Sequence, residues 1–151
     1  MGTTYAVELA APIDEAMRAR LAQLIEAELA AINRAMSTYD VRSELSQFNH
    51  RQDPGWTPAS RALLEVLASA SRISDATQGA FDVTVGPLVD LWGFGPHYGT
   101  RRIPDDAAIA RVRESVGYRH VQTEPSAGAI RKAQPRTQVD LSAIAKGYGV
   151  H

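Results

Sequence analysis

Ile13, Met17, Leu21, Leu24, Ile25, Leu29, Ile32 and Met36 recur at steps of three and four along the chain. That spacing lays one apolar stripe along a helix of about six turns, opened by Pro12, and the stripe is expected to pack into a core. Ahead of it, Tyr5, Val7 and Leu9 alternate with Thr4, Ala6 and Glu8, which predicts a strand over residues 2–10. Past Met36 the helical period is lost. The polar run Ser37-Thr38-Tyr39-Asp40 reads as a turn, and residues 43–49 read as a short helical turn. Asp53-Pro54-Gly55 marks another turn. A second helix is predicted from Thr57, with Pro58 at its first position and a buried face of Leu63, Leu64, Leu67, Ala70 and Ile73.

Residues 77–99 concentrate small residues. Gly79, Gly86, Gly93, Gly95 and Gly99 make poor helix but suit a loop whose backbone must come close to something. Pro104-Asp105-Asp106 opens a third helix, its acids favoured at the positive end, and Gly117 is its expected stop. Short strands are predicted over 118–122, 129–132 and 137–141, the last feeding a helix that begins near Ser142. Helices and strands are interleaved without a regular βαβ rhythm, so the expected class is α+β, with a mixed β-sheet flanked by helices.

Composition narrows the function classes. The 151 residues carry 16 Lys+Arg and 17 Asp+Glu, a formal net charge of -1, so phosphate neutralisation by a basic surface is not the theme and no nucleic-acid partner is expected. No apolar run is long enough to span a membrane, and no charged-then-apolar leader opens the chain. The absence of cysteine excludes disulfides, thiolate metal sites and a cysteine nucleophile, and leaves the compartment open.

No self-contained catalytic signature is present, and the four histidines show no ligand-like spacing. Two stretches carry candidate chemistry. In Gly79-Ala80-Phe81-Asp82 a carboxylate adjoins an aromatic ring, a small residue and a glycine; it suits the polar edge of a heterocycle, or else it is a plain turn before a strand at Val83-Thr84-Val85. In Val139-Asp140-Leu141-Ser142-Ala143-Ile144-Ala145-Lys146-Gly147 a strand ends in an acid, and a lysine follows one turn into a helix. That arrangement suits a phosphate, or else it is a solvated helix start.

Five blocks occur in order: Met1-Gly2-Thr3; Met36-Ser37-Thr38-Tyr39; residues 43–49 (Ser43-Glu44-Leu45-Ser46-Gln47-Phe48-Asn49); residues 77–95, with Gly79-Ala80-Phe81-Asp82 at their head; and Val139 to Tyr148. Together they resemble the ApbE family of FAD:protein FMN transferases, formerly termed thiamine-biosynthesis lipoproteins. The resemblance implies an enzyme that binds FAD and Mg²⁺, passes the FMN moiety to a threonine hydroxyl of a target flavoprotein and releases AMP. Typical targets are subunits of membrane redox complexes such as the sodium-pumping NADH:quinone reductase. Some members mainly hydrolyse FAD, so FAD binding or pyrophosphatase activity without transfer is the alternative.

Carried over by position, the resemblance implies FAD contacts at Met1, Tyr39, Ala80, Phe81, Asp82, Asp140 and Lys146, and a backbone carbonyl of Ala143 for Mg²⁺. The aspartate and threonine that complete the family's metal site lie past the last block. Residues 1–151 are therefore expected to be the N-terminal portion of a single flavin-transferase domain, with half a site. His151 stands where the family usually has an aspartate, and Gln78 where an acid is common. Members are often periplasmic or membrane-anchored.

Overall fold

The computed structural model describes residues 4–94 and 103–151. Helix α1 spans Glu15–Met36. It begins later than Pro12 because Asp14 is its cap: the Asp14 side chain accepts from the Met17 N–H at 2.7 Å. Ser37 ends it, and after a short turn Ser43 caps α2 (Glu44–His50) by accepting from Ser46 N–H. The expected single turn over 43–49 is thus a full short helix.

The second long helix, α3, spans Arg61–Ala76, not from Thr57. Ser60 is its cap, and the Ser60 N–H is itself held by Glu44 Oε1 at 2.6 Å. Thr57–Pro58 instead forms a short edge strand, β1, a position that tolerates proline. The buried face is Leu63, Leu64, Val66, Leu67 and Ala70; Ile73 lies outside it. The loop expected over 77–99 is interrupted by a short helix, α4 (Gly86–Leu91), which has Pro87 in its first turn; Gly95 and Gly99 lie outside the described residues, and the expected strand at 83–85 does not form. Helix α5 spans Asp106–Arg113, capped by Asp105.

Strands β2 (Val121–Glu124) and β3 (Ala129–Lys132) form a hairpin, and β1 pairs with the other edge of β3, giving the order β1-β3-β2. The α+β class holds. The sheet differs from the mixed one expected: both described pairings are antiparallel. The strand predicted at 118–122 begins instead as a 3-10 turn at Tyr118–His120, and 129–132 is a strand as expected. Residues 137–141 enter the core through Val139 and Leu141 without joining the described sheet, and the last helix, α6, spans Ala145–Val150.

The core gathers Ile32 and Met36 of α1, Leu45 and Phe48 of α2, the face of α3, Ile130 of β3, and Val139, Leu141 and Ala145 near the C-terminal end. Each large apolar side chain so buried stabilises the fold by about 1.5–3 kcal/mol. The stripe on α1 enters this core only in its last turns. Met17 and Leu24 are exposed, and so are Tyr5, Val7 and Leu9 of the segment expected to be a strand. Residues 4–10 pair with no strand among the described residues; Tyr5 Oη instead donates to Glu26 Oε1 of α1 at 2.6 Å.

Candidate functional site

The C-terminal end of α1, the turn after it and the start of α6 meet on one side of the core. Ser37 builds the turn: its hydroxyl accepts from the N–H groups of Tyr39 and Asp40, and its carbonyl accepts from the hydroxyls of Ser43 and Ser46. This local network leaves the Tyr39 ring exposed. A hollow of about 50 Å³ lies here, lined by Asn33, Thr38, Tyr39, Ser142 and Lys146. Lys146 is exposed, and its Nζ donates to the Ser142 carbonyl at 3.1 Å.

A second hollow of about 80 Å³ adjoins the first through Thr38 and is lined by Asn49, His50, Gly86, Asp90, Gln138 and Asp140. Asp140 is half-buried there, and its Oδ1 accepts from the Ser142 N–H at 2.8 Å and the Ser142 hydroxyl at 2.5 Å. A dinucleotide pocket is several hundred Å³, so each hollow is a portion of such a pocket at most.

Ala80, Phe81 and Asp82 line neither hollow. Gln78 (φ 53) and Gly79 (φ 84) reverse the chain after α3 in the left-handed region and present the loop. Ala80 is exposed and Phe81 half-buried against the core. The Asp82 carboxylate is heavily engaged within the protein. Its Oδ1 accepts from the Thr84 N–H at 2.7 Å and the Thr84 hydroxyl at 2.6 Å, and its Oδ2 accepts from the Tyr118 N–H at 2.9 Å. This loop reaches the second hollow through its backbone: the Asp140 N–H donates to the Val83 carbonyl at 2.7 Å. Beyond it, Gly86 stands close enough that a Cβ there would rest 3.5 Å from Asp140 Cβ, an ordinary contact.

Ala143 is exposed in the turn before α6. Among the described residues no group of three His, Asp or Glu side chains could hold a metal ion. Mg²⁺ is commonly held by one or two protein oxygens, with water and substrate phosphates completing its shell, and a backbone carbonyl such as that of Ala143 is a donor of that kind. Met1 lies outside the described residues.

The sequence of the ApbE family matches residues 1–151, the whole chain. The chain belongs to the ApbE family. A relative from Klebsiella pneumoniae (strain 342), named FAD:protein FMN transferase, is 39% identical over 150 residues, which cover 98% of this chain and 43% of that protein. One from Haemophilus influenzae with the same name is 41% identical over 158 residues, covering 99% and 44%. The solved flavin transferase ApbE from Vibrio cholerae superposes with a TM-score of 0.84 at 38% identity, over 95% of this chain and 45% of that one. The chain therefore spans less than half the length of these relatives.

Within this ApbE fold, the structure brings Tyr39 and Lys146 to one hollow and Asp140 to its neighbour, while the Ala80–Asp82 loop stands behind Asp140. Sequence reasoning missed Thr38, Asn49 and Gly86 as lining residues, although all three fall inside the quoted blocks. It also missed Lys132, which is buried at 1% exposure. Strand alternation was the signal available: Lys132 is two residues from Ile130, on the same face of β3.

Proposed function

We propose that this chain supplies FAD-binding elements of an FAD:protein FMN transferase. The observation that carries the reading is the grouping of Tyr39, Lys146 and Asp140 around Thr38, in a chain matched over its whole length by a flavin-transferase family. Tyr39 offers an exposed ring for a flat heterocycle. Among the described residues Lys146 is bound only to a backbone carbonyl, which leaves its ammonium able to turn to a pyrophosphate. Asp140 keeps acceptor capacity for a donor on the ligand, because both bonds from Ser142 fall on Oδ1. Met1, Ala80 and Phe81 are assigned to the same ligand by the resemblance. Asp82 is assigned with them, and its bonds to Thr84 and Tyr118 give it a second role as the brace of the loop.

In the reaction of this reading, the hydroxyl oxygen of a threonine on a target flavoprotein forms a bond to the phosphorus of the FMN moiety. The pyrophosphate P–O bond breaks, AMP leaves with the bridging oxygen, and the threonine proton is released. Lys146 holds the pyrophosphate and offsets its charge. Magnesium enters only as an ion for which the Ala143 carbonyl would be one oxygen donor; among the described residues no group of three His, Asp or Glu side chains could hold it alone. A subunit of a membrane redox complex and a periplasmic setting belong to the reading by resemblance alone; no helix among the described residues is long and apolar enough to cross a membrane.

The test is to supply FAD and Mg²⁺ and analyse the products, with and without a flavoprotein target. Covalent flavin on the target together with AMP supports the transferase. FMN and AMP with no covalent product supports hydrolysis instead. Unchanged FAD alongside tight FAD binding marks a binding protein in this length of chain.

A further inference from the structure

Residues 137–141 carry Asp140 to the second hollow, yet they pair with no strand among the described residues. At Val139 their backbone is held instead by a side chain. Asn49, at the C-terminal end of α2, donates from Nδ2 to the Val139 carbonyl at 2.8 Å, and its Oδ1 accepts from the Val139 N–H at 2.8 Å. A carboxamide presents a donor and an acceptor in one plane, so it satisfies both polar groups of a residue as a neighbouring strand would. Behind it lies Lys132 of β3. Its Nζ donates to the Asn49 carbonyl at 2.8 Å and the Thr137 carbonyl at 3.2 Å, and sits 5.7 Å from the centre of the Phe48 ring. A lysine this deeply buried keeps its place only where hydrogen bonds offset its lost hydration, and here both named bonds go to the two backbones being joined.

We infer that Asn49 and Lys132 are positioning residues for the flavin site: Asn49 clamps Val139, Lys132 ties the clamp to Thr137, and together they fix where Asp140 meets the ligand. The inference rests on the FAD-binding reading above and deepens it, since neither residue is among the contacts that the resemblance assigns. Asn49 also lines the hollow that contains Asp140. Asp140 is adjacent to the clamped residue, and its own N–H is held by Val83. A slip of the 137–141 segment would therefore move the carboxylate directly.

The experiment uses the 151-residue chain as it is, with Asn49→Ala, Asn49→Asp, Lys132→Met, Asp140→Asn and the double variant Asn49→Ala/Asp140→Asn. Asn49→Asp keeps the shape but loses the donor to the Val139 carbonyl, so it serves if the alanine variant fails to fold. Amide hydrogen exchange on the ligand-free chain reads the clamp. FAD affinity, followed by flavin fluorescence, reads its consequence. The expected result is faster exchange at Val139 in Asn49→Ala and in Lys132→Met, and a smaller increase in Asn49→Asp, whose Oδ1 still accepts from the Val139 N–H while its other oxygen repels the Val139 carbonyl, with FAD binding about tenfold weaker in each. The double variant is expected to bind no worse than Asp140→Asn, because Asn49 acts through Asp140. A merely structural residue would give losses that multiply. The inference is overturned if Val139 exchange is unchanged, if the Asn49 variants bind FAD as tightly as the wild type, or if the losses multiply. If the wild type does not bind FAD, or if Asp140→Asn binds as the wild type does while Val139 exchange still responds, the FAD reading fails, and the ligand half of the inference fails with it.

Discussion

Replacing Asp82 separates bracing from ligand binding. The carboxylate accepts three hydrogen bonds, from the Thr84 N–H, the Thr84 hydroxyl and the Tyr118 N–H. Thr84 is fully buried, and its hydroxyl in turn accepts from the Gly117 N–H at 2.7 Å. The chain from the glycine loop through Thr84 to Gly117 and Tyr118 is therefore continuous, and Asp82 is its hub. Asp82→Ala strands the Thr84 and Tyr118 N–H donors. At about 1–3 kcal/mol for each unsatisfied buried donor, part of it relieved by water at the half-exposed Tyr118 side, the expected loss is about 2–4 kcal/mol. Asp82→Asn keeps an oxygen for the Thr84 pair and turns an NH₂ toward Tyr118 N–H, so it loses one bond and about 1–2 kcal/mol. Urea denaturation followed by circular dichroism gives both values. A loss below about 0.5 kcal/mol for the alanine variant, the range of an ordinary surface change, would refute the bracing role. The consequence for function is direct: weakened FAD binding in Asp82→Ala says nothing about contact until the asparagine variant, still folded, has been measured.

Other expectations follow from burial and charge. Leu63→Ala, at a fully buried position, is expected to cost about 2–5 kcal/mol, while Leu24→Glu, on the exposed stretch of α1, is expected to stay within about 0.5 kcal/mol. Comparable losses for the two would overturn the account of where α1 enters the core. Burial holds the Lys132 ammonium below its ordinary pKa of 10.5, with Arg51 adding to the effect and Asp53 opposing it. Between the depressed value and 10.5 the unfolded chain binds more protons than the folded one, so stability should rise as pH climbs through that window. Lys132→Met should lack this rise; parallel stability curves in alkaline urea titrations would contradict it.

Local chemistry was the legible part of this fold. The helical period of residues 61–76 survives because it is decided by its own side chains, and the strand at 129–132 forms because β1 and β2 supply an edge on each side of it. Boundaries shifted where a cap outweighed a proline: Asp14 and Ser60 start α1 and α3, not Pro12 and Pro58. What could not be read was pairing. The alternation of Tyr5, Val7 and Leu9 is strand-like, but a strand requires a partner edge, and no described residue provides one. Residues 137–141 likewise read as a strand, but among the described residues they join no sheet: the Asn49 side chain holds Val139, and one backbone bond runs from the Asp140 N–H to the Val83 carbonyl. At the site, the blocks named Tyr39, Asp140 and Lys146, and the fold brings them to adjoining hollows. Two of the three bonds on Asp82 come from Thr84, two residues on, but the third comes from Tyr118, 36 residues away, and no local pattern announces a contact at that range.

The central claim is that these residues hold FAD and that Lys146 meets its pyrophosphate. The most direct measurement titrates the wild type and Lys146→Ala with FAD and, separately, with riboflavin, which has the ring system without the pyrophosphate. Lys146 is exposed and makes one bond to a carbonyl, so its removal should leave the fold intact. Saturable FAD binding is expected, weakened about tenfold in Lys146→Ala, as the loss of a charged hydrogen bond would give, with riboflavin binding little changed. Equal losses for both ligands, or FAD binding indifferent to Lys146, would contradict the claim.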